Sequence, residues 1–172
     1  MRQIIQKELV NRYGDRLLLF TMGVDSNGEL LEMEAIYGPH SLKPPLHYHP
    51  YQEERFEVLS GKFSVQVDQK EDIYRVGDSF IVPAGSSHTR HNVSDREGRL
   101  SWQVRPAMRT AEFFEKMWGE DAAGESKEKS TPNLSQLVVV LREYHQEFRL
   151  ARPPYFVQRI LFSALAQIGR LF

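Results

Sequence analysis

The sequence predicts a mainly β fold, a small barrel or sandwich, followed by α-helices. Three observations carry this expectation. Between residues 15 and 107, short runs of alternating apolar and polar residues recur between Gly, Pro and Asp breaks, the pattern of strands joined by tight turns. From Thr110 onward the apolar residues recur at helical spacing instead. The chain has 172 residues, of which 41% are hydrophobic and 26% charged, enough for one core with a helical appendage.

The first strands are read from DRLLLFTMGV and ELLEMEAIYG, two β-prone runs around DSNG. Asn27-Gly28 is a strong hairpin signal because both residues tolerate positive φ. PHSLKPPLHYH follows, and Pro39, Pro44 and Pro45 predict a rigid, irregular approach to the next strand. RFEVLSG, KFSVQVDQ, IYRVGD, SFIVPAG, HTRHNVSD and RLSWQVRPA then supply the remaining strands. A helix is expected over TAEFFEKMWG, with Thr110 as N-cap and Gly119 just past its end. GEDAAGESKEKS reads as a polar linker. A second helix is expected over TPNLSQLVVVLREYHQEFRLA, with Thr131 as N-cap, Pro132 at the first helical position and an apolar stripe from Leu134 to Phe148. RPP breaks it. The last helix, from about Pro154, carries Phe156, Ile160, Leu161, Leu165, Ile168 and Leu171. The expected division is a barrel over 1–108 and a helical extension over 109–172 that packs on the barrel or on a dimer partner.

Composition narrows the function classes. With 22 basic and 23 acidic residues the net charge is −1, so the basic footprint of a nucleic-acid binder is missing and no such partner is expected. There is no cysteine, which rules out disulfides and thiolate metal sites. The N-terminal MRQIIQKELVNRYGD shows neither a long apolar core nor a small-residue cleavage signature, so no signal peptide is expected and the cytoplasm is the expected location. No run approaches the roughly 18 apolar residues of a membrane span.

One constellation carries chemistry. His47 and His49 are two apart in a strand-like stretch, so their side chains share a face. Glu54 follows after four residues and Gly61 after six more. Beginning thirty residues beyond His47, GDSFIVPAGSSHTRHN frames His88 with Gly77, Pro83, Gly85 and Asn92. Gly77 and Asp78 turn the chain into SFIVP, and Pro83 and Gly85 end that strand in a tight loop. Strand parity places Arg90 and Asn92 on the face of His88. Three imidazoles and a carboxylate suit a divalent first-row ion and leave open positions. Glu53, one position closer, faces the other way in an extended strand, which favours Glu54.

HYHPYQEERFEVLSG resembles the first cupin motif, with its two His, a Glu after four residues and a Gly after six more. GDSFIVPAGSSHTRHN resembles the second at each spaced position: Gly77, Pro83, Gly85, His88 and Asn92. Fifteen residues separate Gly61 from Gly77, at the compact end for the family. Gly38 departs from the pattern, with eight residues before His47 where five are usual. The resemblance covers residues 14 to 106 and implies a cupin barrel, a double-stranded β-helix or jelly roll, in a protein that is usually a homodimer. It implies His47, His49, Glu54 and His88 as ligands of Fe, Mn, Ni or Zn in the barrel mouth. The extension is similar to the helical tails of small bacterial cupins.

Further roles follow as expectations. Glu54 is also the candidate catalytic base. Arg90 is a candidate to bind a substrate carboxylate through its fork of donors, against the alternative of a rim arginine in water. Gln103, sharing a strand face with Arg105, is the other candidate substrate contact. His40, His91 and His145 are expected at the surface or on a helix face, and Phe113, Phe114, Met117 and Trp118 as core or interface anchors. The last helix, with Arg152, Arg159 and Arg170 around its stripe, is expected to dock on the barrel or a partner subunit rather than on a membrane. The leading function is a metal-dependent enzyme, dioxygenase-like or isomerase-like, on a small organic molecule. The alternatives are a non-catalytic small-molecule binder or sensor and an interaction protein using the helices.

Overall fold

Alternation along the strands builds two facing antiparallel sheets. The structure, a computed structural model, describes residues 7–25, 28–118 and 134–168. Its strands are β1 (Lys7–Val10), β2 (Arg16–Asp25), β3 (Gly28–Tyr37), β4 (His47–Tyr48), β5 (Glu53–Ser60), β6 (Lys62–Val67), β7 (Lys70–Arg75), β8 (Ser79–Val82), β9 (His88–Asn92) and β10 (Gly98–Arg105). Helix α1 (Thr110–Trp118), helix α2 (Leu134–Glu143), a short strand β11 (Arg149–Leu150) and helix α3 (Tyr155–Ile168) follow. One sheet has the order β1-β2-β3-β10-β5-β8 and the other β11-β4-β9-β6-β7. This is the jelly-roll barrel that the strand pattern and motifs predict.

The period of two decides which face each strand buries. In β5, Glu54, Phe56 and Val58 are buried while Arg55, Glu57 and Leu59 are exposed. β10 does the same, turning Leu100, Trp102 and Val104 inward. The hairpin between β2 and β3 pairs Asp25 with Gly28, so Gly28, with a φ of 100°, opens β3 instead of sitting at the centre of an Asn27-Gly28 turn, one residue off the register that signal predicts. The far end of the barrel is closed by Asn92. Its side-chain amide donates to the carbonyls of Gly38 and Arg96, and its Oδ1 accepts from Ser94. Two glycines make room for it: a Cβ on Gly98 would lie 2.8 Å from Asn92 Cγ, and one on Gly61 would lie 2.7 Å from Gly98 Cα.

The extension joins the barrel core. Phe113, Phe114, Val140 and Tyr144 belong to one buried cluster with Phe56, Trp102 and Val104. The phenyl of Phe114 meets the Trp102 indole edge-on at 5.0 Å between centroids. Burying large aromatic rings on the mouth of a small barrel is the main stabilisation available to this segment.

Three helical expectations change. Thr110 lies within α1 rather than capping it: the Thr110 amide reaches Ala107 O, and its hydroxyl accepts from Gln52 Nε2 at 2.6 Å. The second helix ends at Glu143, not near Ala151. Residues 144–147 form a turn held by Glu147 N and Phe148 N donating to Tyr144 O, and β11 then pairs with β4. An open sheet edge offering backbone bonds overrides a helical stripe at that point. Thr131, Pro132, Gly119, Arg170, Leu171 and the polar linker lie outside the described residues, as do the side chains of Leu165 and Ile168. In α3, Phe156, Ile160 and Leu161 face solvent, whereas Gln158 is buried and donates to Leu150 O and Pro153 O. These three residues of the expected stripe therefore turn to solvent, not to the barrel. A buried glutamine satisfying loop carbonyls holds the helix instead.

Candidate metal centre

Four side chains from three strands and a loop converge in the barrel mouth. β4 and β9 run antiparallel with His47 opposite His88, and His49 follows two residues after His47. The ligating nitrogens of His47, His49 and His88 lie within 4.8 Å of one another. Glu54 enters from β5, its carboxylate oxygens 3.3 Å from His49 Nε2 and 2.9 Å from His88 Nε2. All four are buried, Glu54 and His88 completely. Glu53 instead pairs with Arg55 at the surface, so strand parity separates the two acids.

Backbone carbonyls orient the rings. The Nδ1–H groups of His47, His49 and His88 face the carbonyls of Pro45 at 2.8 Å, Glu147 at 2.5 Å and Ser86 at 3.4 Å. This sets the tautomer that leaves Nε2 with a lone pair directed inward. Trp102 Nε1–H donates to Glu54 Oε1 at 3.1 Å. His49 Nε2, His88 Nε2 and Glu54 Oε2 are buried and have no hydrogen-bond partner. Uncompensated buried acceptors of this kind are costly and call for an ion or a donor between them.

Protonation favours the same reading. Burial lowers His47 well below the usual imidazole range, with smaller contributions from His88 and His49. Burial also lowers His49, outweighing the opposite pull of Glu54. For Glu54 burial acts to raise the carboxyl, but His49, His88 and then Arg90 outweigh it, and it lies far below the ordinary range. Imidazoles that resist protonation, as burial makes His47 and His49 do, and a carboxylate that stays ionised are suited to a divalent cation. The donor set fits such an ion.

Arg90 points inward, as parity predicts, and is buried. Its guanidinium lies over the rings of Phe56 and Trp102 at 4.3 and 4.1 Å, and its Nε has no hydrogen-bond partner. Gln103 does not join the site. It sits on the outer face of β10, opposite in parity to Trp102, and its amide donates to Glu32 at 2.9 Å. His40 pairs with Asp95 at the surface.

Sequence reasoning missed two participants. Gln52 is fully buried and its Nε2 reaches the carbonyls of Pro106 and Ala107, tying the loop between the ligands to the start of α1. Phe148 stacks on His47 at 4.6 Å and 21°, meets His49 edge-on at 5.9 Å, and stacks in turn on Phe113 at 5.1 Å. The sequence offered Phe148 only as the last residue of the second helix's apolar stripe, and the Pro-Pro break soon after it left too short a piece to read as a strand.

Two facing sheets thus close a barrel whose mouth gathers three histidines and a glutamate, a group that could hold a metal ion. Residues 33–104 match the family model for the cupin domain, and the barrel of this chain is a cupin domain. Among curated proteins, Protein SchB of Streptomyces halstedii is 37% identical over 60 residues, 35% of this chain and 44% of that protein. Polyketide synthase CurC of Streptomyces cyaneus is 33% identical over 60 residues, 35% of this chain and 39% of that protein. The similarity thus spans less than half of either relative. Among solved structures, an RmlC-like cupin from Shewanella frigidimarina superposes with a TM-score of 0.51 at 22% identity, covering 64% of this chain and 99% of that one. KdgF from Halomonas superposes with a TM-score of 0.52 at 14% identity, covering 62% and 93%. These two show the fold.

Proposed function

We propose that the protein is a metal-dependent enzyme acting on a small oxygenated organic molecule, with His47, His49, His88 and Glu54 holding one divalent first-row ion. The observation that carries this is the convergence of buried, partnerless His49 Nε2, His88 Nε2 and Glu54 Oε2. Bound there, an ion such as Fe, Mn, Ni or Zn would act as a Lewis acid towards a substrate oxygen.

The chain's own residues supply the rest. The three backbone carbonyls fix the imidazole planes, and the Trp102 indole fixes the Glu54 carboxylate. Phe148 and Phe113 cover the mouth with apolar surface and restrict water there. Arg90 directs a donor without a partner into the interior, suited to a substrate oxygen. A carboxylate held as low as Glu54 is a weak proton acceptor at neutral pH, which favours its role as ligand over that of general base. The name of CurC supports a substrate of polyketide origin, and dioxygenase-like or isomerase-like chemistry fits an oxygenated carbon skeleton.

The test is turnover. Fe, Mn, Ni and Zn forms are offered a panel of polyketide-derived phenols and enols, with oxygen uptake and product mass as readouts. At least one form should turn over a panel member, and Glu54→Gln should abolish it. Tight binding of a panel member with no turnover by any form would overturn the enzyme reading in favour of a binder.

A further inference from the structure

Phe148 also lines a cleft in the helical extension. This cleft of about 400 Å³ opens between α2, β11 and α3, and Phe148, which stacks on His47, is among its lining residues. Its apolar wall is Leu141, Phe148, Leu150 and Phe162; its polar wall includes Arg142, Arg149 and Arg159. Among the described residues none that lines it is acidic, although the chain as a whole has slightly more acids than bases. Among the described residues none of the three arginines pairs with a carboxylate, in contrast to Arg99, Arg105 and Arg109 elsewhere.

Arg149 is held in place for binding. Its Nε donates to His145 O at 2.7 Å, and its guanidinium lies over the Tyr155 ring at 3.8 Å. Tyr155 is stacked in turn on His145 at 10° between planes. A fork fixed by stacking loses little freedom on meeting a planar anion, so Arg149 is suited to a carboxylate. Arg142 and Arg159 supply two more positive charges at the same opening.

We propose that this cleft binds an organic carboxylate with an apolar body, the carboxylate at Arg149, Arg142 and Arg159 and the body against Leu141, Phe148 and Phe162. Phe148 touches both places, lining the cleft and stacking on the His47 ring at 4.6 Å. The cleft is therefore where substrate docks before reaching the histidines; this last step rests on the metal-dependent reading, whereas the binding does not.

Calorimetric titration of metal-stripped protein with 2-naphthoate and with its neutral counterpart 2-naphthamide tests the binding without involving the metal. Naphthoate should bind about ten-fold or more tightly than the amide, and its affinity should fall with added salt. The double variant Arg142→Gln/Arg159→Gln, at exposed positions that the fold tolerates, should weaken naphthoate about ten-fold and leave the amide unchanged. Equal affinity for the two probes, or naphthoate binding unaffected by the double variant, would overturn the proposal. Binding to phosphatidylglycerol vesicles by a protein that ignores soluble naphthoate would overturn it too, assigning the arginines to a membrane surface. Retained naphthoate binding in a protein that takes up no metal would leave the cleft standing and sink only the docking role.

Discussion

Trp102 shows how one residue serves both packing and chemistry. Its indole belongs to the core beside Phe56 and Phe114, and its N–H holds Glu54 Oε1. Trp102→Phe keeps an aromatic ring and removes that donor, so metal affinity should fall by about ten- to a hundred-fold while the protein stays folded. Competition with a chromogenic chelator reads this. The lowered protonation of His47, His49 and Glu54 sets a pH dependence with a definite sign. Below the ordinary imidazole range the unfolded chain binds protons that the buried rings refuse, and below the ordinary carboxyl range the same holds for Glu54. Stability of the metal-stripped protein is therefore lost as pH falls, first from the histidines and then from the glutamate. Urea midpoints should drop between about pH 7 and about pH 5.5; a rise over that interval contradicts the buried neutral imidazoles. At this scale the candidate cluster was legible because His47, Glu54 and His88 lie at fixed spacings in short strands, with His49 just past the end of β4. Gln103 was not, because its parity depended on where β10 begins, and a one-residue difference exchanges inside for outside.

The strands were legible as elements because their alternation is driven by burial on one face, and the turns by residues that permit positive φ. Gly61 illustrates the second: its φ is 82°, and a Cβ there would meet the Gly98 backbone. Gly61→Ala should cost about 2 kcal/mol or more through strain and overpacking, read as a lower urea midpoint, with metal stoichiometry unchanged in the folded fraction. A loss of metal without a loss of stability would show that the turn acts on the site directly. Strand β11 was not legible. Phe148 continues the apolar spacing of α2, and nothing local separates it from that helix; only the free edge of β4, contributed by residues a hundred positions earlier, draws Arg149 and Leu150 into a sheet. Pairings this distant in sequence leave no periodic trace in the segment itself.

Across the whole molecule, the extension completes the barrel rather than hanging from it. Phe113, Phe114, Val140 and Tyr144 share its core, Glu147 O orients His49, and Phe148 covers His47. A chain ended after residue 108 exposes that core and should lose about 5 kcal/mol or more, enough to unfold or aggregate an ordinary domain. Circular dichroism and light scattering decide this, and a monomeric, cooperatively melting fragment would show that the barrel stands alone. The central claim concerns the ion. Untagged protein, purified without chelator, is subjected to elemental analysis alongside His88→Ala. We predict about one divalent first-row ion per chain in the parent and a loss of more than about ten-fold in occupancy in the variant. A parent protein without stoichiometric metal, or a variant that retains the parent's content, would contradict the assignment of His47, His49, Glu54 and His88 as its ligands.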